Sequence, residues 1–160
     1  MKTPRPEKST ADALIGVAQS YHIAARRLAQ DAETFGHVAP AFYLLCSYAM
    51  ELAFKALYKV RGAATEDDLV AMGHNLKLAY DKAVENRLHE RLWTADIAIM
   101  VDQLDEHHKN HVFRYTPTGT DPIRVPHPDM LLRTLNALMN EVSCIIFEPE
   151  GGLQKDAVIK

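Results

Sequence analysis

The sequence predicts an all-α protein, folded as an antiparallel bundle of four to five helices. Apolar residues recur at spacings of three and four over most of the chain, as the buried face of a helix requires. The segments between these patterns are short, which favours antiparallel neighbours. The 160 residues carry a net charge of -3 and are 48% hydrophobic, values typical of one soluble globular domain.

The ends of the chain differ from its centre. Residues 1–8 hold two prolines and four charges and are predicted to form a flexible arm, and residues 149–160 a flexible tail. Residues 9–148 are then a single domain. Because there is no apolar leader and no uninterrupted run of about 18 apolar residues, we expect a cytoplasmic protein without a membrane segment. Cys46 and Cys144 lie in apolar helical patterns and are predicted to be buried thiols.

The first helix should begin near Ser9, Thr10 or Asp12, which are all good N-cap types. Gly36 is a suitable residue to end it. The face predicted to be buried consists of Leu14, Val17, Tyr21, Ala25, Leu28 and Ala32.

The second helix is predicted to be the central one. It runs from a first turn containing Pro40 to Gly62, and nearly every face is apolar. The exceptions, Ser47, Glu51 and Lys55, follow each other at spacings of four and share one line along the helix. A buried charge needs partners. The line therefore indicates either a functional polar site or a structural network in which Glu51 and Lys55 satisfy each other.

The middle of the chain is predicted to hold three further helices. After a polar connection over 63–68, a short helix covers Leu69–Met72, and Asn75 caps a helix over Leu76–Glu85. A longer helix is expected from about Leu88 to His111. The residues predicted to be buried in these helices are Leu76, Tyr80, Val84, Leu88, Leu92, Ile99 and Leu104, with Ile97, Met100 and Val101 beside them.

A proline-rich loop should precede the last helix. Four prolines and one glycine exclude a helix over 113–128; they are Pro117, Gly119, Pro122, Pro126 and Pro128. Phe113–Tyr115 and Ile123–Val125 could pair as a small β-hairpin. Asp129 is expected to cap the last helix, Met130–Phe147, whose predicted buried face is Leu131, Leu135, Leu138, Val142 and Ile145.

Strong catalytic signatures are absent. The chain has no phosphate-binding glycine loop, no nucleophile elbow, no closely paired cysteines and no His-Glu-x-x-His motif. We therefore expect no cofactor. The mild acidity and the lack of a basic stripe with aromatic residues provide little direct case for nucleic-acid binding.

Histidines supply the next candidates. His107 and His111 stand four residues apart, so they could chelate a metal from one helical face, or simply end a hydrated helix. His74 precedes a predicted helix start. It could be half exposed there, or it could form a hydrogen bond with the Glu51 region.

Arg114 is expected where a helix meets the proline-rich loop, with Asn110 before it and Tyr115 directly after it. A guanidinium there could hold a phosphate or carboxylate through a bidentate fork. Alternatively, Arg114 could form a buried ion pair with Glu51 and fasten the loop to the central helix.

Three blocks, taken in order, resemble the HEPN superfamily of small helical-bundle proteins. They are SYAMELAFKAL at Ser47–Leu57, GHNL at Gly73–Leu76 with Leu78 after it, and Asn110 followed by Phe113–Tyr115. The resemblance spans residues 10–147. It implies a four- or five-helix bundle, often a homodimer, associated with nucleotides or RNA in prokaryotic toxin–antitoxin or defence systems. Its active members are metal-independent endoribonucleases that use an Arg, four to six residues and then a His.

This chain departs from that ribonuclease signature, because none of its nine arginines is followed by a histidine at that spacing; His111 instead precedes Arg114. We therefore expect a non-catalytic module that binds a nucleotide- or RNA-type anion, or a partner protein. Ser47, Glu51, Lys55, His74, Asn110, Arg114 and Tyr115 are its candidate site or polar network.

Two alternatives remain. One is a ribonuclease toxin with a rearranged site, in which His74 or His111 is the acid or base, Arg114 stabilises the phosphate and Asn110 positions it. The other is a structural dimer whose polar residues only fix the register of the helices.

Overall fold

The protein is all-α in the residues that the computed structural model describes, which are 9–90, 92, 94–114 and 124–147. The predicted arm, the tail, Tyr115 and most of the proline-rich loop lie outside them. The helices are α1 (Ala11–Leu28), α2 (Phe35–Arg61), α3 (Glu66–Met72), α4 (Leu76–Glu85), α5 (Ala95–Lys109) and α6 (Pro128–Phe147), with 3-10 turns at Leu88–Glu90 and Val112–Arg114.

The central position predicted for the second helix is confirmed. α2 packs against α1, α4, α5 and α6, and its buried residues are distributed around its circumference. It begins five residues before Pro40, so this proline lies inside the helix, and it ends with Gly62 as the C-cap. Because α2 is enclosed by other helices, its one line of polar residues must find partners within the protein.

The first helix differs from the prediction in its buried face and in its end. Thr10 caps α1, but the buried face is Ile15, Ala18, His22 and Ala25, and Val17 is 46% exposed. α1 ends at Leu28, well before Gly36, which lies in the first turn of α2. The turn between them is stabilised by the Asp31 carboxylate, which accepts hydrogen bonds from the backbone of Glu33 and from Thr34.

The continuous helix predicted over Leu88–His111 is wrong, because the chain is interrupted before α5. Leu88 belongs to a 3-10 turn, and Ile99 is 56% exposed. The buried residues of α5 are Ile97, Met100, Val101, Leu104 and His108. In one continuous helix Leu88 would lie on the opposite face from these residues, so the helix must be interrupted for Leu88 and the α5 face to be buried together.

The other predicted helices are confirmed: α4 has the predicted bounds, whereas α3 and α6 begin earlier than predicted. The Asn75 side chain caps α4 by accepting the Leu78 amide at 2.8 Å. α3 begins at Glu66 because Thr65 and Asp68 form a capping box. In α4, Leu76 and Tyr80 are buried and Val84 is partly buried; all five residues of the predicted α6 face are buried.

Three smaller predictions about the last third of the chain and the cysteines are corrected. Asp129 lies in the first turn of α6, one residue past its start, because the helix begins at Pro128. The first half of the predicted β-hairpin is a 3-10 turn at Phe113 and Arg114. Cys46 is buried as predicted, whereas Cys144 is only partly buried.

α6 meets the length and composition that a membrane-spanning helix requires, with a mean hydropathy of 1.3 in its most apolar window. Its buried face packs against α1 and α2. Core helices of water-soluble proteins meet the same criterion, so this feature assigns no location.

Candidate functional site

A group of polar and aromatic side chains gathers where the middle of α2 meets the turn before α4 and the end of α5. We call this group the polar corner. Its members are Tyr48, Glu51, Lys55, His74, His108, His111 and Arg114. Three separate segments of the chain therefore supply one cluster.

Glu51 is the centre of the polar corner. Its side chain is 2% exposed, and Oε1 accepts a hydrogen bond from Lys55 Nζ at 2.6 Å. Oε2 lies 2.5 Å from His108 Nε2 and 3.2 Å from His74 Nδ1. Burial raises the pKa of Glu51, but the hydrogen bond from His108 and the charge of Lys55 outweigh burial and lower the pKa to about 2. The carboxyl group is therefore ionised at neutral pH.

The ionised carboxylate determines which ring nitrogens carry protons. A carboxylate only accepts hydrogen bonds, so His108 Nε2 and His74 Nδ1 must both be donors. In a neutral imidazole the other nitrogen then has the free lone pair. In His108 that nitrogen is Nδ1, which is buried and has no hydrogen-bond partner among the residues that the structure describes. In His74 it is Nε2, on a side chain that is 45% exposed.

Lys55 links the centre of α2 to the turn before α4. The Lys55 side chain is nearly buried, and Nζ donates a second hydrogen bond, at 2.6 Å, to the carbonyl oxygen of Gly73. Gly73 has φ +56 and ψ -134, a backbone conformation that residues with a Cβ rarely adopt. The Gly73-His74-Asn75 sequence thus supplies a special turn, a site histidine and a helix cap in succession.

Tyr48 forms an aromatic wall of the polar corner. Its ring makes edge contacts with His108, at 4.8 Å between centroids, and with His74 at 5.6 Å. The Arg114 guanidinium carbon lies over the same ring, 5.5 Å from the centroid, in cation–π geometry. Sequence reasoning did not single out Tyr48, because a tyrosine in an apolar helix has no distinguishing spacing.

The end of α5 turns sharply to bring His111 to the polar corner. His111 has φ +56, in the left-handed region that disfavours non-glycine residues, and its amide donates to the carbonyl of His108. Its ring centroid lies 5.6 Å from that of His74. His107 instead contacts Phe113, so the two histidines of the pair considered for a metal have different ring neighbours.

His108 is another site residue that sequence reasoning missed. It lies four residues after Leu104 and continues the buried face of α5, so the helical period contained the signal.

The other predicted site residues take different positions. Ser47 Oγ donates to the carbonyl of Tyr43 at 2.8 Å, within α2. Asn110 is the exposed C-cap of α5. The expected ion pair between Glu51 and Arg114 does not form: Glu51 is surrounded by Lys55 and two histidines, and Arg114 is exposed.

Glu51, His74 and His108 offer ligand atoms that lie within 4.8 Å of one another, as a metal site would require. Two features oppose a divalent cation there. The Lys55 ammonium already holds the same carboxylate. A metal on His108 Nε2 would also move the proton to Nδ1, where a buried N–H would lack the partner that metal-bound histidines have. The donor set fits a hydrogen-bonded network better than a metal.

Comparison of the chain with protein-family models, with curated proteins and with solved structures found no match. The geometry of the polar corner is therefore the basis for assigning a function.

Proposed function

We propose that this protein is an HEPN-like helical bundle that binds the phosphate backbone of an RNA-type ligand at the polar corner. The observation that carries the proposal is the arrangement of charge. Glu51 is buried and already paired with Lys55, whereas Arg114 is exposed on the face of Tyr48. The solvent side of the cluster therefore presents a guanidinium and two imidazoles.

These groups suit a phosphate diester. A guanidinium can donate two parallel hydrogen bonds to phosphate oxygens, and stacking on Tyr48 limits its motion before binding. His74 lies beside Tyr48, and His111 lies beside His74, so both imidazoles border the surface around Arg114. Aromatic rings at such a surface also allow bases to stack.

The wider proposal follows the family resemblance of the three sequence blocks. On this proposal, the protein is cytoplasmic, forms a homodimer and serves as one half of a toxin–antitoxin or defence pair. Light scattering of the purified chain tests the homodimer directly, because a mass near twice 18.0 kDa is expected.

RNA affinity tests the site. Fluorescence anisotropy would measure binding of a labelled single-stranded RNA in EDTA to the wild type, Arg114→Gln and Arg27→Gln. Arg27 is an exposed arginine in the last turn of α1 and is the matched control. Loss of charge-assisted hydrogen bonds should weaken binding by about tenfold or more in Arg114→Gln, with less than about a twofold change in the control.

Equal losses in the two arginine variants would mean that RNA binds by general charge alone, and the proposal would be wrong. A wild-type protein that binds no RNA but co-purifies with a stable protein partner would favour the partner-binding alternative instead.

One observation favours catalysis as a second candidate function. Glu51 holds the proton of His74 on Nδ1, which leaves Nε2 as the basic nitrogen of an exposed ring. A carboxylate that orients an imidazole in this way is a recurring device in acid–base catalysis. His74 would take the proton of a ribose 2′-hydroxyl as its oxygen attacks the phosphorus. His111 would donate a proton to the departing 5′-oxygen, with Arg114 stabilising the charge on the phosphate.

Cleavage of RNA in EDTA distinguishes this candidate from simple binding. The wild type should cut the RNA to a 2′,3′-cyclic phosphate and leave the matching DNA intact, because DNA lacks the attacking hydroxyl. His74→Gln should retain most of the RNA affinity and lose cleavage. If the wild type binds RNA without cutting it at high protein concentration, catalysis by this chain alone is excluded.

A further inference from the structure

A second cationic cleft lies between α1 and α6, where no residue of the polar corner is found. It has a volume of about 300 Å³ and is open to solvent. His22 and Arg26 line it from α1, and Leu132, Arg133 and Asn136 line it from α6.

The lining of this cleft has one sign of charge. Among the described residues it contains two guanidiniums, an imidazole and an amide, but no carboxylate. Arg26 and Arg133 are both exposed, and neither forms an ion pair with an acidic side chain of the described part of the chain. Two guanidiniums that converge on one cleft without a counterion favour a dianion over a single carboxylate.

His22 adds an independent observation. Its residue surface is 5% exposed, and its ring Nε2 is buried without a hydrogen-bond partner in the described part of the chain. Burial, followed by the charge of Arg26, lowers the pKa of this imidazole, so the ring is neutral at pH 7. The remaining buried residues of α1 are Ile15, Ala18 and Ala25. A histidine among apolar residues, without a partner, is a costly choice for packing alone.

The position of His22 connects these features. It lies in the same helix turn as Arg26, at a spacing of four, so both side chains face α6. Arg133 and Asn136 are three residues apart on α6 and complete the opposite wall.

We propose that the α1–α6 cleft binds a phosphate monoester dianion, with Arg26 and Arg133 as its principal ligands. Asn136 donates a further hydrogen bond, and His22 forms part of the floor. The cleft is large enough for a phosphate group with part of the molecule that bears it. The site is separate from the polar corner, so the proposal does not depend on the proposed RNA site.

Calorimetry with two probes tests the proposal and distinguishes the source of the phosphate. Inorganic phosphate and adenosine monophosphate would each be titrated into the wild type at constant ionic strength. Arg26→Gln and Arg133→Gln should each weaken binding by about tenfold or more, whereas the adjacent Arg27→Gln should change it less than about twofold. Tighter binding of the nucleotide than of phosphate would identify a nucleotide site; equal affinity would identify a site for the phosphate group alone.

Because both arginines are exposed, we expect all three variants to fold, and circular dichroism would confirm it. Arg114→Gln provides the test against the other site. If it abolishes phosphate binding, the ligand sits at the polar corner and the inference is wrong. The inference is also wrong if Arg27→Gln weakens binding as much as Arg26→Gln does, or if no saturable binding occurs up to about 10 mM phosphate.

Discussion

Replacing Glu51 by Gln should destabilise the protein strongly, although the two side chains have nearly the same shape. The change removes the carboxylate that contacts Lys55, His74 and His108. Lys55 is nearly buried and would lose its counterion. One amide oxygen would also have to replace two carboxylate oxygens as acceptors.

The magnitude follows from the lowered pKa of Glu51. Its pKa falls from the ordinary value of 4.5 to about 2. Linkage converts that difference to about 3 kcal/mol of stability at neutral pH. Removing one partner of a buried ion pair costs about 3–5 kcal/mol in other proteins, which is consistent with this value. We therefore expect Glu51→Gln to lower the free energy of unfolding by about 3–4 kcal/mol at pH 7.

The pH dependence has a definite sign. Because the folded-state pKa lies below the unfolded value, Glu51 stabilises the fold above pH 4.5 and loses that effect as the pH falls towards 2. The stability difference between wild type and Glu51→Gln should shrink by about 2 kcal/mol between pH 7 and pH 3. Urea unfolding at both pH values measures it. Glu106→Gln, at an exposed position on α5, should differ from wild type by less than about 0.5 kcal/mol at either pH.

A Glu51→Gln protein as stable as Glu106→Gln would refute the claim that a buried carboxylate holds the polar corner together. A stability loss that is the same at pH 7 and pH 3 would show that packing, and not the charge of Glu51, is responsible.

Three further outcomes are expected. His111→Gly should raise the free energy of unfolding by about 0.5–1 kcal/mol, because glycine relieves the strain of the left-handed backbone, and Ala63→Gly, at φ +51, should do the same. Only His111→Gly should weaken RNA binding. Weaker RNA binding in both variants would contradict the placement of His111 in the site. Gly73→Ala should lower the free energy of unfolding by about 1–3 kcal/mol. The backbone conformation is the cause, because an added Cβ would meet no neighbour within 4 Å in the described part of the protein. An unchanged urea midpoint would contradict this. EDTA should leave the melting temperature and the RNA affinity unchanged, since Lys55 occupies the carboxylate that a metal would need; a drop of several degrees would reveal a bound ion.

The sequence predicted where helices exist better than which of their faces are buried and where they begin and end. Apolar spacing was sufficient for α6, whose face is buried as expected. In α1 several overlapping spacings were available, and only contact with α2 and α6 determines that Ile15 is buried and Val17 is exposed. The interruption before α5 also depends on tertiary packing, which a local pattern does not contain.

The candidate site was predicted in part. The spacing of Glu51 and Lys55 on an apolar helix required a partner, and both alternatives open for His74 hold, because its half-exposed ring forms a hydrogen bond with Glu51. Of the two roles open for Arg114, the ion pair with Glu51 does not form, because His108 on the inner side of α5 contacts that carboxylate instead. Long-range competition for one carboxylate cannot be read from residue types alone.

Tyr43 gives the proline-rich segment a property useful for engineering. Its ring stacks on Phe113 at 5.9 Å, and its hydroxyl donates to the carbonyl of Pro126 at 2.9 Å. One side chain of the central helix thus anchors the chain on both sides of the segment between them. Residues inserted or exchanged within that segment should leave the two anchoring contacts of Tyr43 in place. The segment is therefore a natural position for diversified libraries, in which recognition is varied on a constant framework.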